Sequence, residues 1–387
     1  MKPSKRQFAM QVAKAISGLN GKRYSFDARK FALLGADSKE LINLKNLYLE
    51  HCACPNAVRP DDIKKIASIF GQPQILPKSF EDAKAYLRPK ILCRSKLEFD
   101  DLKRRIEGCG VLDTPHESIG SHLCSIIVYS TDHSMIFVTG TLLEEWGVTF
   151  KQAMEVACKN VDASTIAWSV MGGHLHSSTS GDNYDSSRIM LVDRIRSLEV
   201  AGSHLAVVPN RETLFVAGTE DHGSIKIMFE LTKNLTEDEA RLICPLPLQL
   251  KNGKWLDWEP PKNHFVRLLY EELNRNFLGR LYHKQRELLV QLAHEPRIAL
   301  FAVLEVERGS FSFCCWREGV DLLLPKTDWI VFYDAEGEIV ASNVWEHVMA
   351  IVDDSVLADD AFYPTLYRVR QFPTDEQLRR IGNIDFK

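Results

Sequence analysis

Two histidines separated by one residue, His174 and His176, precede the most polar stretch of the central part of the chain. Because side chains alternate along an extended segment, both imidazoles would lie on one side of it. If Asp182 or Asp185 added a carboxylate, three ligands typical of a transition metal would converge. Two histidines at this spacing also occur often by chance, and we therefore predict no metal site.

The polar stretch from Ser177 to Asp185 runs directly into a segment with helical spacing. Its hydroxyl groups and the N–H groups of the helix start could receive an anion such as a phosphate, at the positive end of the helix dipole. The competing interpretation is an exposed loop, closed by Asp185 as the helix N-cap with Arg188 as its partner one turn later. No glycine-rich nucleotide motif accompanies the loop, so we predict no cofactor. The candidate ligand-binding residues are His174, His176, Asp182, Tyr184, Asp185 and Arg188.

Two further histidines belong to a passage that nearly occurs twice. Ser121-His122-Leu123 and Ser203-His204-Leu205 each open an apolar run that ends in Phe-Val, and the two histidines lie 82 residues apart. Each histidine precedes a predicted strand, where an imidazole commonly bonds a neighbouring backbone carbonyl. A duplicated structural role explains the repeat better than a duplicated catalytic one, and we interpret both histidines as structural.

The cysteines form no pattern that indicates chemistry. His51-Cys52-Ala53-Cys54 resembles half of a metal or redox motif, but it lacks the second cysteine pair of a zinc site and the spacing of the redox motif. Cys314 and Cys315 are neighbours in a predicted strand and should point to opposite faces. Nine cysteines scattered over a long chain do not suggest a disulfide framework, and we expect ordinary thiols in a reducing cytoplasm.

The elements that must position these residues indicate an α+β fold, with antiparallel sheets built from repeated strand-strand-helix units. The first unit has a helix capped by Thr149 and Gln152, and the second has a helix through Ile225 and Leu231. Before them, helical spacing predicts a helix from Leu41. After Pro260-Pro261, an apolar stripe predicts two helices that meet at Gly279. The expected domains are 1–85, a small α+β unit; 86–260, a central α+β domain; and 261–387, a separate C-terminal domain with a helix pair and β-hairpins.

Composition excludes several classes of protein. At 387 residues with a net charge of −4, the chain has no strongly basic character, and we do not expect it to bind nucleic acid. The segment from Lys84 to Arg105 is locally basic, but Glu98, Asp100 and Asp101 offset its charge. We find no signal peptide and no apolar run long enough for a bilayer, so we predict no membrane association.

Several runs of the chain agree in order and spacing with one pattern. They are Trp146 with the capped helix from Thr149, the runs from Asp182 to Ile189 and from Leu205 to Val216, and, more weakly, Tyr24 to Asp27 and Leu44 to Leu47. On these residues the chain from about 20 to 258 resembles the YtpQ-like family, a bacterial domain family of unknown function. The family pattern has Gly where Asn183 stands, and the residues after about 262 extend beyond the family domain. The resemblance implies a cytoplasmic α+β protein and supplies no catalytic residues.

Each catalytic arrangement above has a simpler structural explanation. We therefore predict a non-enzymatic module that binds a protein partner. The alternative is an enzyme or a ligand-binding protein that uses the polar loop 174–188, with a small molecule, an anion or a metal as its ligand.

Overall fold

The computed structural model describes residues 2–29, 31–35, 41–71, 76–131, 135–164, 166–236, 242–293, 296–306, 309–352 and 355–383. Within these ranges the chain forms twelve α-helices and 21 β-strands in antiparallel or mixed sheets. The predicted α+β class is therefore confirmed. Polar residues between apolar runs predict turns at Thr131-Asp132-His133 and at Arg308-Gly309-Ser310, and of these Asp132, His133 and Arg308 lie outside the described residues.

The chain divides into two compact units. One comprises Met1–Arg88 and Ile127–Asn160, and the other comprises Pro89–Ile126 and Val161–Lys387. These bounds differ from the expected 1–85, 86–260 and 261–387. Compactness does not by itself report separate folding, so the division into three domains stays a prediction.

The first unit is built around helix α1 (Lys5–Asn20) and helix α3 (Arg59–Gly71). Helix α1 begins at a capping box in which Gln7 N donates to Ser4 Oγ and Ser4 N donates to Gln7 Oε1. The two helices bury one apolar stripe each, and these stripes form the core of the unit. The core includes Phe8, Val12, Ile16, Ile66 and Ala67.

A small antiparallel sheet of β1 (Tyr24–Asp27), β2 (Ala32–Gly35) and β3 (Leu41–Asn43) precedes helix α2 (Lys45–Ala53). The predicted helix is present, but it begins at Lys45 and not at Leu41. Residues 41–43 pair with β2 instead, because a strand partner supplied by the fold satisfies their backbone groups better than an isolated first helical turn.

The remaining elements of this unit include α4 (Phe80–Ala83), β7 (Met135–Phe137), α6 (Gly140–Glu145) and α7 (Phe150–Asp162). The predicted cap of α7 is confirmed. Gln152 N donates to Thr149 Oγ1 over 3.3 Å, and Thr149 N donates to Gln152 Oε1 over 2.9 Å. The three boundaries between the two units lie in strand β4 (Leu87–Cys93), in strand β6 (Leu123–Ser130) and near the end of α7.

The second unit contains a six-stranded antiparallel sheet in the order β13-β12-β10-β11-β9-β8. Its strands are β8 (Trp168–Met171), β9 (Leu175–Ser178), β10 (His204–Asn210), β11 (Phe215–Gly218), β12 (Leu242–Lys251) and β13 (Lys254–Asp257). Further elements are α5 (Arg94–Ile106), β5 (Glu117–Ile119), α8 (Val192–Arg196) and α9 (His222–Leu235). In both copies of the repeat an antiparallel strand pair, β6–β7 or β10–β11, is followed by a helix.

One continuous helix, α10 (Arg267–Gln291), follows the central sheet. The predicted helix pair meeting at Gly279 is therefore wrong. A Cβ atom at position 279 would lie 3.2 Å from Phe301 Cε1, so glycine serves the close approach of this ring and does not end the helix. Phe277 of α10 belongs to the same buried cluster as residues of the central sheet, so the C-terminal part shares a core with that sheet.

Two more sheets complete the unit, in the orders β14-β17-β21-β20 and β15-β16-β18-β19. Their main core is mostly aliphatic and includes the buried aromatic residues Trp316, Phe332 and Trp345. The strands are β14 (Arg297–Ile298), β15 (Ala302–Val306), β16 (Gly309–Arg317), β17 (Leu322–Pro325), β18 (Trp329–Tyr333), β19 (Ile339–Val344), β20 (Val356–Asp359) and β21 (Leu366–Val369), with helices α11 (Trp345–Val352) and α12 (Asp375–Ile381).

Candidate functional site

The polar loop is organised by one buried carboxylate, Asp185, which is 2% exposed. It accepts hydrogen bonds from Ser178 Oγ at 2.5 Å, Ser180 N at 2.9 Å and Gly181 N at 3.1 Å. The predicted N-cap role is wrong, because the side chain makes no bond to the short 3₁₀-helix Ser186–Met190 that follows. Asp185 holds the preceding loop, and it is not part of an exposed turn.

Arg188 is the second anchor of the loop, at 1% exposure. Its Nη1 and Nη2 donate to the two carboxylate oxygens of Asp182 at 3.0 and 2.7 Å, and Nη2 also donates to Ser164 Oγ at 3.3 Å. Asp185 lies slightly farther away, with 3.6 Å from Oδ1 to Nη1. The main partner of Arg188 is therefore Asp182 and not the predicted Asp185.

Asn183, between these partners, has a φ of 66°, in the left-handed region. This is the position at which the YtpQ-like pattern has Gly, and asparagine is one of the few other residues that adopt this conformation readily. The turn brings Asp182 Oδ1 within 2.9 Å of the Tyr184 N–H, which donates to it. Partial burial of Asp182 favours the neutral acid, but the bonds from Arg188 and Tyr184 outweigh burial and lower its pKa below the usual value.

The two histidines of the loop are not part of the cluster formed by Asp182, Asp185 and Arg188. His174 is exposed in the turn before β9, not in an extended segment. His176 Nε2 donates to the carbonyl oxygen of Glu199 at 2.9 Å, and its ring packs edge-on against Trp168. Among the residues that the structure describes, no group of three His, Cys, Asp or Glu side chains could hold a metal ion.

The loop thus brings together Asp182, Asp185 and Arg188 and leaves His174 and His176 outside. The carboxylate oxygens already accept hydrogen bonds from within the loop, so the arrangement can hold a backbone shape but offers no free base. Arg188 Nε and Ser187 Oγ are buried and have no hydrogen-bond partner in the described part of the chain. Ligand binding by the six candidate residues stays a prediction.

The two repeated histidines have different partners. His204 Nε2 donates to the carbonyl oxygen of Leu198 at 3.1 Å, which is the contact expected from sequence. His122 Nδ1 instead lies 2.7 Å from the Tyr363 hydroxyl, and the Arg94 guanidinium covers the same tyrosine ring at 4.8 Å. Burial lowers the pKa of His122, and Arg94 adds to the effect, whereas Asp257 opposes it. Because the two histidines make different side-chain contacts, the two copies share their backbone arrangement and not the role of the histidine.

A cavity of about 720 Å³ lies elsewhere in the second unit, between the end of α10 and strands β14 to β17. Apolar side chains form its floor, among them the half-buried Phe313 and the buried Leu322. Val290 and Leu300 stand at its rim, 60% and 50% exposed. Exposed apolar side chains gathered around a depression are typical of interaction sites.

Three arginines, Arg286, Arg297 and Arg317, line the same cavity. Arg286 Nε donates to the carbonyl oxygen of Ile298, and Arg317 Nη2 donates to the carbonyl oxygen of Ala335, both at 3.1 Å. Over the described ranges, none of the three pairs with a carboxylate, and no acidic residue lines the cavity. We name this site the arginine pocket.

The edge strand β15 borders the arginine pocket through Ala302. It lies at the end of its sheet and pairs, in the residues described, with β16 alone. Its Val303 and Leu304 are 47% and 40% exposed. Such an edge can accept a further strand, because its outer N–H and C=O groups point away from the sheet.

The arginine pocket could not be predicted from the sequence, because its three arginines belong to different kinds of element at distant positions in the chain. Arg286 belongs to a helix, Arg297 to a two-residue strand and Arg317 to the end of β16. No periodicity connects these positions. The sequence offers one indication, which is that no Asp or Glu lies three or four residues from Arg286, so no ion pair along its helix is expected.

The fold and the sites define this chain as an α+β protein. The charged side chains of its polar loop pair with one another, whereas the arginines of its arginine pocket have no carboxylate partner among the described residues. Comparisons with protein-family models, curated protein sequences and solved structures found no match. Within the part of the chain that the structure covers, none of the helices combines the length and apolar character that a bilayer crossing requires.

Proposed function

We propose that this protein is a non-enzymatic binding module for a protein partner, and that the arginine pocket receives an acidic, partly apolar peptide segment of that partner. The observation that carries the proposal is the set of three arginines without carboxylate partners around an apolar floor. The planar guanidinium of arginine binds a carboxylate through two parallel hydrogen bonds. Arginine is therefore a common residue for recognising acidic groups.

The neighbouring edge strand favours a peptide over a small molecule. A segment added along β15 would form backbone hydrogen bonds with its free edge, while alternate side chains would reach the pocket. Val303 and Leu304 would then be covered. Glu305 lies on the same strand but does not line the pocket, so it does not neutralise the arginines there.

The test is the affinity of the purified chain for a fluorescein-labelled peptide Glu-Ile-Asp-Phe-Glu-Val, measured by fluorescence anisotropy. Each charge-assisted hydrogen bond contributes about 1.5 to 3 kcal/mol, so the double variant Arg286→Gln/Arg317→Gln should weaken binding at least about tenfold. The matched control is Arg370→Gln, which changes an exposed arginine outside the pocket and should leave the affinity unchanged.

The charge-reversed peptide Lys-Ile-Lys-Phe-Lys-Val should show no binding. Equal affinity for both peptides would contradict the proposal, because it would remove the role of the arginines. Failure of the acidic peptide to bind at all would contradict it as well.

We further propose that the chain belongs to the YtpQ-like family and acts in a bacterial cytoplasm. The left-handed Asn183 at the family's glycine position supports the first point. Nine free thiols support a reducing compartment. We do not propose catalysis at the loop 174–188, because its carboxylates accept bonds from the loop itself.

A further inference from the structure

A second cavity, of about 740 Å³, lies in the first unit between α1, the end of α2 and the start of α3. It is independent of the arginine pocket. Gly18 of α1 borders it, and a Cβ atom there would meet nothing within 4 Å. The cavity therefore has room for an organic molecule, not just an ion.

His51 lines this cavity although it is only 2% exposed. Its Nδ1 lies 2.6 Å from Asp62 Oδ2, and its ring packs against Phe8 with centroids 4.8 Å apart. These contacts fix the ring and occupy Nδ1. The other ring nitrogen, Nε2, has no partner in the part of the chain described, so it remains for a ligand.

Positive charge surrounds the cavity. Lys2, Lys14 and Arg59 line it, and no acidic residue is among its described lining residues. Neither lysine makes an ion pair in the described chain, whereas Arg59 donates to the backbone carbonyl oxygens of His51 and Cys52. Asp62 is directed to His51 Nδ1, and among the described residues it pairs with neither lysine.

We propose that this cavity binds a small phosphomonoester, with its phosphate between Lys2, Lys14 and His51 Nε2. Lysine is a common phosphate ligand because it acts as a compact point charge. Histidines and phosphomonoesters both change protonation near neutral pH. A neutral ring at Nε2 accepts a bond from a P–OH group, and an imidazolium donates to a P–O⁻ group, so either state gives one hydrogen bond. A carboxylate ligand, deprotonated at neutral pH, would have only the second option.

The experiment is isothermal titration calorimetry of the full chain with AMP and glucose 6-phosphate, and with inorganic phosphate, adenosine and glucose as comparison probes. We expect at least one monoester to bind and its unphosphorylated counterpart not to bind. The variant Lys14→Gln should weaken that binding by about tenfold, because it removes one charged contact to the phosphate. Lys65→Gln, an exposed lysine of α3 outside the cavity, is the control and should have no effect.

A second readout concerns His51 directly. In the chain labelled with ¹⁵N at histidine, the bound monoester should shift the Nε2 resonance of His51 and leave that of His347 in place. The proposal is overturned if neither monoester binds, if inorganic phosphate alone binds, or if Lys14→Gln and Lys65→Gln bind the monoester equally well. None of these outcomes depends on the arginine pocket.

Discussion

Asp185 is a buried carboxylate that, among the described residues, accepts hydrogen bonds from the end of β9 and from the loop that follows, and its closest cation there is Arg188. A carboxylate removed from water is tolerated only when its oxygens are bonded, and here two backbone N–H groups and one hydroxyl do so. These hydrogen bonds explain why an aspartate can be buried at this position. They also mean that its substitution should affect folding before it affects any chemistry.

We predict that Asp185→Ala lowers the free energy of unfolding by about 3 kcal/mol, because it leaves buried donors unpaired and removes a charge beside Arg188. Urea denaturation measures the change. Asp193→Ala provides the control, since Asp193 is 96% exposed in its pair with Arg196 and should contribute less than about 0.5 kcal/mol. Similar losses in both variants would show that Asp185 does not anchor the loop.

Asp182 gives a prediction for pH. Its pKa is lowered in the folded chain, despite partial burial, by Arg188 and the Tyr184 N–H. A lowered pKa stabilises the fold above the unfolded value, about 3.9, and this contribution is lost as the pH falls through the folded pKa. Asp182→Asn should therefore lower stability at pH 7 and remove part of the decline at acid pH.

Unfolding by urea at intervals between pH 3 and pH 7 measures this effect. The difference between the unmodified chain and Asp182→Asn should shrink as the pH falls toward 3. A difference that stays constant over the whole range would contradict a role for the ionised Asp182.

At the scale of elements, helix α10 shows how packing overrides local propensity. Glycine inside a helix costs about 1 kcal/mol relative to alanine, and from sequence that cost predicts a break at Gly279. The helix nevertheless continues, because Phe301 packs against this position and is itself stacked on Tyr282 with centroids 5.5 Å apart. The gap left by the missing side chain is filled by the ring.

We predict that Gly279→Ala destabilises the chain by about 1 kcal/mol, although alanine has the better helix propensity. The new Cβ would lie 3.2 Å from the Phe301 ring, which is 2% exposed and has little freedom to shift. Thermal unfolding measures the change. Gly223→Ala in α9, where the nearest atom is at an ordinary 3.5 Å, should be neutral or slightly stabilising. A stabilised Gly279→Ala variant would show that the ring yields.

Helix α5 shows how the spacing of residues along one helix determines which charges are paired. Its basic side chains meet carboxylates three or four residues away, as in Arg94–Glu98, Lys103–Asp100 and Arg105–Asp101. Such pairs satisfy charge on the surface of one helix. The basic segment identified from sequence therefore has less unpaired charge than its composition indicates.

At the scale of the whole molecule, the net charge of −4 contrasts with two cavities lined by cations. The net charge alone would repel an acidic ligand weakly, but at physiological ionic strength charges are screened over about 8 Å. Attraction to either cavity is therefore governed by the side chains that line it. The average composition of the chain does not report this arrangement.

The sequence alone determined the features that depend on near neighbours. The α+β class, the capping box at Thr149 and the strand-strand-helix repeat all follow from side-chain period and from hydrogen bonds three residues apart. It also located the loop that contains Asp182, Asp185 and Arg188. These features were accessible because each one is encoded within a single turn or a single strand pair.

Tertiary structure decided which side chains of that loop meet and where open chemistry lies. The direction of Asp185, the continuity of α10 and the pairing of His51 with Asp62 depend on what packs against each residue. The arginine pocket joins residues of three separate elements. Sequence spacing does not encode such contacts, because the chain brings these residues together only when the sheets and helices have packed.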